Sequence, residues 1–291
     1  MTPDATELLA EEFSAVRPRL VGAAYRIVGS VADAEDVVQD AWLRWSRVDR
    51  EEVREPAAYL LTVTTRVALN RLRQQRSRRE DYVGPWLPEP IDEVDVATSV
   101  EMSESVSMAM MVVLETLSPL ERAAFVLHDV FGLTFGEVAI ALDRSEAAAR
   151  QLGHRARSHV AARQPRQVVD RVRHRKVTEQ FVHAASTGDV QELLELLAPE
   201  VVLVADGGGV RQAALRPIHG VDKVSRFLAG IAEKGGVKDV VMRVLPVNGE
   251  SAILLTRDDE LDSVCFLTVE EQGITALHLI RNPDKLTRVR T

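Results

Sequence analysis

The chain has 291 residues, 46% of them hydrophobic and only 4% aromatic, which is enough for two or three domains with aliphatic, alanine-rich cores. No apolar run approaches the ~18 residues of a membrane span, and the single cysteine, Cys265, excludes an internal disulfide and a multi-cysteine zinc site. The acidic N-terminus Met1-Thr2-Pro3-Asp4 is unlike a signal peptide, so the expectation is a cytoplasmic protein with no membrane partner, no metal and no cofactor.

A formal charge of −8 argues against nucleic-acid binding until it is divided along the chain. Residues 1–80 hold 13 basic and 13 acidic side chains, residues 81–107 are net −7, residues 108–176 are net +4 and residues 177–291 are net −5. The acid is concentrated in one linker and in the C-terminal part, leaving local basic surfaces. Non-specific DNA affinity of the whole chain is expected to be weak, because phosphate neutralisation dominates that binding.

Residues 5–28 are predicted to form a helix with Leu8, Leu9, Phe13, Val16, Leu20, Ala24 and Ile27 toward a core, broken at Gly29-Ser30. Asp33 is the expected cap of a second helix through Trp45. Its apolar stripe is Ala34, Val37, Val38, Ala41, Trp42 and Trp45, and Asp36, Gln39 and Asp40 lie on its other side. After the charged loop Arg47–Glu55, Pro56 opens a third helix. Leu60, Leu61, Val63, Val67, Ala68 and Leu72 form its apolar side; Thr62, Arg66, Asn70 and Arg73 fall on a polar face. From Arg66 to Arg79 there are six arginines and no acid, a composition suited to a phosphate backbone and equally to a solvated charged face.

The succession Asp36-Val37-Val38-Gln39-Asp40, Glu55-Pro56-Ala57-Ala58-Tyr59-Leu60 and Ala68-Leu69-Asn70-Arg71-Leu72-Arg73 resembles domain 2 of the extracytoplasmic-function sigma factors of bacterial RNA polymerase. The resemblance implies that Asp36, Gln39 and Asp40 dock on core polymerase. It further implies that Thr62, Arg66, Asn70 and Arg73 contact the promoter −10 element, with the preceding loop pocketing a flipped base. Flipping costs a few kcal/mol, so melting needs the polymerase.

Tyr82-Val83-Gly84-Pro85-Trp86-Leu87-Pro88-Glu89-Pro90 cannot be one helix. With the base-free stretch to Ser107 it reads as an acidic tether, or as a segment whose charge competes with DNA for the basic faces. Trp86-Leu87-Pro88-Glu89-Pro90 at this position is similar to the sigma J-like subgroup, in which a further domain is fused behind the sigma domains.

Ser118-Pro119-Leu120-Glu121 and Thr134-Phe135-Gly136-Glu137 are capping boxes, the first with proline at the opening position. They start a helix ending at Gly132 and a short helix through about Leu142. Asp143-Arg144 turns, and Ser145 caps a third helix through about Ala162. This is a helix-turn-helix pattern. On its last helix Ala149, Leu152, Gly153, Ala156 and Val160 face inward. Arg150, Gln151, His154 and Arg155 are the expected base readers, each good pair carrying ~1–3 kcal/mol of discrimination. Arg144 and Arg157 are expected on phosphates. Leu117–Arg122 and Ser145–Arg150 resemble sigma domain 4, which implies that the helix reads the −35 element.

Arg171–Lys176 is expected to be a basic hinge. Beyond it, helices at Val177–Ser186, Val190–Leu197 and Gly220–Ile231, a strand at Val201–Val204, and strand-like runs at Val237–Val247, Ser251–Thr256, Ser263–Val269 and Thr275–Ile280 argue an α+β domain. The order resembles the SnoaL-like cone-shaped fold. Asp206 with His183, His219 or His278 supplies acid–base residue types, but no mutual geometry follows from the sequence, and no enzymatic activity is expected. Asp206-Gly207-Gly208-Gly209 is expected to bring backbone close to a partner or to take positive φ. In the fused-domain group it recurs as Asp-Gly-Gly-Gly-Lys; here position 210 is Val, so the lysine's role is absent or moves to Arg211. Asn282-Pro283-Asp284-Lys285-Leu286 matches a second signature of that group, and it is expected to contact the sigma domains.

The expected organisation is therefore multidomain. Sigma domain 2 spans 5–80, a linker 81–107, sigma domain 4 spans 108–165, and an α+β domain 175–291. Core RNA polymerase, promoter DNA and the chain's own C-terminal domain are the expected partners. The competing class is a conventional DNA-binding regulator with a ligand-sensing or enzymatic C-terminal domain.

Overall fold

The computed structural model describes residues 5–79, 81–91, 107–163, 169–233 and 239–290. They fall into two compact units, one of residues 5–79 with 110–163, the other of residues 81–91 with 107–109, 169–233 and 239–290. Among the described residues no helix is long and apolar enough to cross a membrane.

The first unit opens with α1 (Ala5–Val28), α2 (Val31–Trp45) and α3 (Pro56–Arg79). The cap of α2 is Ser30, whose hydroxyl accepts from the Asp33 amide, and not Asp33 as expected. Asp33 is drawn instead toward α3, where Arg71 and Gln75 bind its carboxylate. Trp45 is fully buried and donates to the Leu9 carbonyl at 2.8 Å, while Trp42 packs on Phe13 with ring centroids 5.0 Å apart. The 47–55 loop contains a 3₁₀ turn at Arg50–Glu52, tied to α1 by Arg50 and Glu12 at 2.7 Å.

The same unit continues, from Met110 on, with α4 (Met108–Glu115), α5 (Pro119–Phe125), α6 (Phe135–Leu142) and α7 (Glu146–Arg163). Both expected capping boxes are formed, and Asp143 ends α6 in the left-handed conformation at φ 54°. The helix opened by Pro119 does not run on as α-helix to Phe131. It widens into a π turn at Val126–Val130, with the Phe131 amide donating to the Val126 carbonyl.

Buried arginines join the two halves of this unit. Arg122 Nε donates to the Arg26 carbonyl at 2.6 Å and its Nη1 pairs with Glu115. Arg19 and Arg26 both lie against the Phe131 ring, at 5.6 and 5.7 Å from its centroid. Burial lowers the Arg26 guanidinium to about 10, against a small upward push from Tyr25, and it stays charged at neutral pH.

The second unit packs α8 (Arg171–Thr187), α9 (Val190–Leu196) and α10 (Val221–Glu233) on a six-stranded sheet. Its strands are β1 (Leu197–Asp206), β2 (Ile218–His219), β3 (Val240–Val247), β4 (Glu250–Arg257), β5 (Glu260–Glu270) and β6 (Gly273–Ile280), in the order β2-β1-β6-β5-β4-β3. All neighbours are antiparallel except β1 and β6. The expected hinge at Arg171–Lys176 is instead the start of α8. Asp170 caps it and His174, on its inner side, bonds to the Leu267 carbonyl at 2.9 Å.

Alternation divides the sheet into two faces. Val201, Leu203, Ala205, Cys265, Leu267 and Leu277 meet Phe181, Ala184, Leu193 and Val224 of the helices. Asp206, Phe266, His278 and Ile280 point to the other face and are also buried. The expected tether is thus divided. Residues 81–91 belong to the C-terminal unit, while residues 92–106 lie outside the described residues.

His278 is fully enclosed, and its Nδ1 has no partner among the described residues. Burial drops its pKa to about 4. The unfolded chain therefore binds the extra proton between pH 6.5 and 4, and stability falls as pH drops through that window. From this residue alone the C-terminal unit should lose about 2 kcal/mol between pH 7 and pH 5. His174, lowered by burial, acts in the same direction. Amide exchange of β5 and β6 in the full chain should quicken accordingly, and His278→Leu should flatten the dependence.

Candidate nucleic-acid interface

The helix-turn-helix is built by its caps. Ser145 accepts from the Ala148 amide at 3.2 Å and starts α7, whose inner side is Ala149, Leu152, Gly153, Ala156 and Val160. Gly153 is required by close packing: a Cβ there would lie 2.8 Å from the Phe135 ring. The outer side presents Arg150, Gln151, His154 and Arg155 together, lining an open depression of about 420 Å³.

The cations around this surface are held by neighbouring acids. Arg150 pairs with Glu146 one turn back, Arg155 with Glu121 at 3.2 Å, and Arg157 with Asp129 at 2.8 Å. Burial pushes the Glu121 carboxyl up, but hydrogen bonds from Ser118 and the charges of Arg155 and His159 outweigh it and hold it below the usual range. Arg144 is exposed, and its guanidinium donates to the adjacent Asp143 carbonyl at 2.7 Å.

On α3, Thr62 is half-buried and Arg66, Asn70 and Arg73 are exposed on one side. Arg73 donates to Asn70 Oδ1 at 2.9 Å. Arg66 is engaged differently: its Nη2 donates to the Ile140 carbonyl at 2.6 Å and its Nε to the Ala141 carbonyl at 3.2 Å. It thereby fills the orphan carbonyls at the C-terminus of α6, where a cation is favoured. The side chains of Arg76, Arg78 and Arg79 lie outside the described residues.

Asp36, Gln39 and Asp40 are exposed along α2. Arg71 of α3 bridges Asp33 at 2.5 Å and Asp36 at 2.9 Å, locking the acidic helix to the basic one. No local pattern places this contact, since Arg71 lies 38 and 35 residues from Asp33 and Asp36.

The remaining candidates assemble in the C-terminal unit. Asp206, fully buried, accepts from Tyr82 Oη (2.5 Å), the Leu87 amide (2.8 Å), the Gly208 amide (3.0 Å) and Lys285 Nζ (2.7 Å). Lys285 also donates to the Leu87 carbonyl at 2.5 Å and lies 3.9 Å from the centre of the Trp86 ring. Asn282 donates to Tyr82 Oη at 2.9 Å, and burial, then Asp206, raises the Tyr82 phenol. Residues 82–87 are thus a strap clamped between β1 and the tail; farther along, Ile91 and Asn248 exchange backbone and side-chain bonds at 2.9–3.0 Å.

The three glycines make this clamp possible. A Cβ on Gly208 (φ +61°) would lie 2.4 Å from Asn282, and one on Gly209 (φ +74°) 3.1 Å from Val83. Pro283, Asp284 and Lys285 form a 3₁₀ turn capped by Asn282, with Leu286 buried behind it. The cation that meets Asp206 is Lys285; Arg211 is exposed, as is Val210. The tail expected to contact the sigma domains has the 82–87 strap as its described partner. His183 and His219 are exposed, and every described contact of Asp206 is to a strap, glycine-turn or tail donor, so no acid–base pair forms among them.

The sigma-70 region 2 model matches residues 13–78 and the sigma-70 region 4 model residues 107–160. The ECF RNA polymerase sigma factor SigJ of Mycobacterium tuberculosis is 41% identical over 290 residues, covering 95% of this chain and 92% of that protein. The chain belongs to the extracytoplasmic-function RNA polymerase sigma factors. A probable sigma factor SigI of M. tuberculosis is 32% identical to this sigma factor over 278 residues, covering 94% and 93% of the two chains. The crystal structure of M. tuberculosis SigJ superposes with a TM-score of 0.77 at 36% identity, over 96% of this sigma factor and 98% of that chain, so the shared fold includes the C-terminal unit.

Gly208→Ala should displace Asn282 and strain the backbone. The expected cost to the clamp is about 2–4 kcal/mol. Limited proteolysis of the full chain should then cut within residues 82–91, where the parent resists.

Proposed function

We propose that this sigma factor directs core RNA polymerase to promoters, docking through Asp36, Gln39 and Asp40. Thr62, Arg66, Asn70 and Arg73 contact the −10 element; Arg150, Gln151, His154 and Arg155 read −35 bases, with Arg144 and Arg157 on phosphates. The C-terminal unit regulates this activity from within the same chain.

The observation that carries the regulatory part is the double use of Arg66, whose guanidinium sits on the Ile140 and Ala141 carbonyls of the −35 reader. The −10 and −35 elements are about 25 base pairs apart by name, roughly 85 Å at ~3.4 Å per step. The two readers cannot be in hydrogen-bond contact and reach both elements, so the described arrangement is a closed form that opens on engagement. The segment joining the readers passes through the Asp206–Lys285 clamp. Holding part of a linker shortens its free length and changes the effective concentration of each reader for the other without any new contact between them.

The test is in vitro transcription with core polymerase on the promoter of its own operon, comparing the full chain, a chain ending near Arg166, and Lys285→Ala. The truncation is expected to change transcript yield severalfold, and Lys285→Ala to move it in the same direction, because it leaves the Asp206 carboxylate buried and unpaired. An unchanged profile for both variants would refute the regulatory role. Absence of core-dependent transcripts on several promoters would refute the assigned interfaces.

A further inference from the structure

The ring of Phe135 occupies an unusual place for a residue that opens the first helix of a helix-turn-helix. Its neighbours on α7 are two cations: the Arg150 guanidinium lies 5.3 Å and the Arg157 guanidinium 5.6 Å from the ring centroid. His128 stacks on the ring at 4.0 Å with an interplanar angle of 24°. Gly153, one turn beyond Arg150, lets the ring seat directly on the α7 backbone. The π turn at Val126–Val130 supplies both supports, placing His128 on the ring and Asp129 on Arg157. His128 is itself fixed by a 2.6 Å contact between Nδ1 and the Leu133 carbonyl.

We propose that Phe135 is a positioning residue for −35 recognition, an aromatic platform that holds Arg150 and Arg157 extended along α7 before DNA arrives. The inference rests on the assignment of Arg150 to a base and Arg157 to a phosphate. A free arginine side chain loses much rotamer freedom when it forms a bidentate contact. A guanidinium already lying on a ring face has lost part of it, and the ring's negative face favours the cation without competing for the N–H groups that meet the base. Glu146 and Asp129 bind the same arginines from the side, so each is held between an acid and the platform. Packing alone accounts for an apolar residue at position 135, but not for a ring that two exposed arginines and a stacked histidine share.

The test uses the full chain with core polymerase and a promoter pool randomised at −35, with a second pool randomised at −10. Base preference at each position is read by sequencing the transcripts. Phe135→Leu should lower preference at the position that Arg150→Ala identifies by roughly two- to fivefold, the worth of the one cation–π contact that Arg150 makes, while −10 preferences stay as in the parent. Phe135→Tyr, which keeps the platform, should restore the −35 preference. Should Phe135→Leu fail to fold by circular dichroism, Phe135→Met keeps the length without the π face and is read in the same way. A variant without the ring that retains the parental −35 preference, or that lowers transcription evenly across both pools, overturns the proposal while leaving Arg150 as a reader. No position-specific effect of Arg150→Ala overturns it at its premise and removes the underlying assignment as well.

Discussion

A carboxylate with no access to water must have its charge met in full, and Asp206 imposes that condition on the C-terminal unit. Its donors come from the strap, from its own glycine turn and from the tail, so none of the three can be placed independently. Burying such a pair is not in itself stabilising, because desolvation offsets the attraction; removing one member is what costs several kcal/mol. The pair therefore specifies an arrangement more than it strengthens one. Where Lys285 meets Asp206, the Trp86 ring receives its cation on one side and the Leu87 carbonyl accepts a hydrogen bond from it. The glycines follow from the same demand, since any side chain on Gly208 would occupy the place of Asn282.

The N-terminal unit relies on arginine in an analogous way. Arg122 and Arg26 are buried, Arg122 donating to the Arg26 carbonyl and pairing with Glu115 and Arg26 donating to the Gly22 carbonyl, a use for which the guanidinium's several donors and weak hydration suit it. At the periphery the same residue type serves contacts that are exchangeable. Arg66 caps the C-terminus of α6, and Arg150 and Arg157 rest on carboxylates and a ring. Buried arginines make the unit compact, and exposed ones make its surface available to an anionic partner.

Much of the fold was legible in the residues. Capping boxes marked α5 and α6 because their chemistry is local, and the apolar stripes of α1, α2 and α3 marked the faces that are buried. Where local signals competed, the expectation slipped. Asp33 and Ser30 are both good caps, and the choice was made by Arg71, which comes from another helix. Arg171–Lys176 looked like a hinge because its charge is dense; Asp170 and the burial of His174 make it helix. The π turn has no sequence signature, since it inserts one residue into an otherwise regular helical pattern.

The sequence by itself determined the family, the exposed Arg150, Gln151, His154 and Arg155 side of α7, and the special backbone of Gly207–Gly209. These depend on spacing within a few turns of chain, where periodicity and capping act. Only the tertiary structure decided the partners. Tyr82 and Lys285 meet across roughly two hundred positions at Asp206, and Arg66 finds carbonyls more than seventy residues away. Phe135 becomes a platform only once α7 is laid against it. Contacts of that kind are fixed by which buried charges and rings remain to be satisfied after the helices and strands have packed, and no local pattern in the chain encodes that remainder.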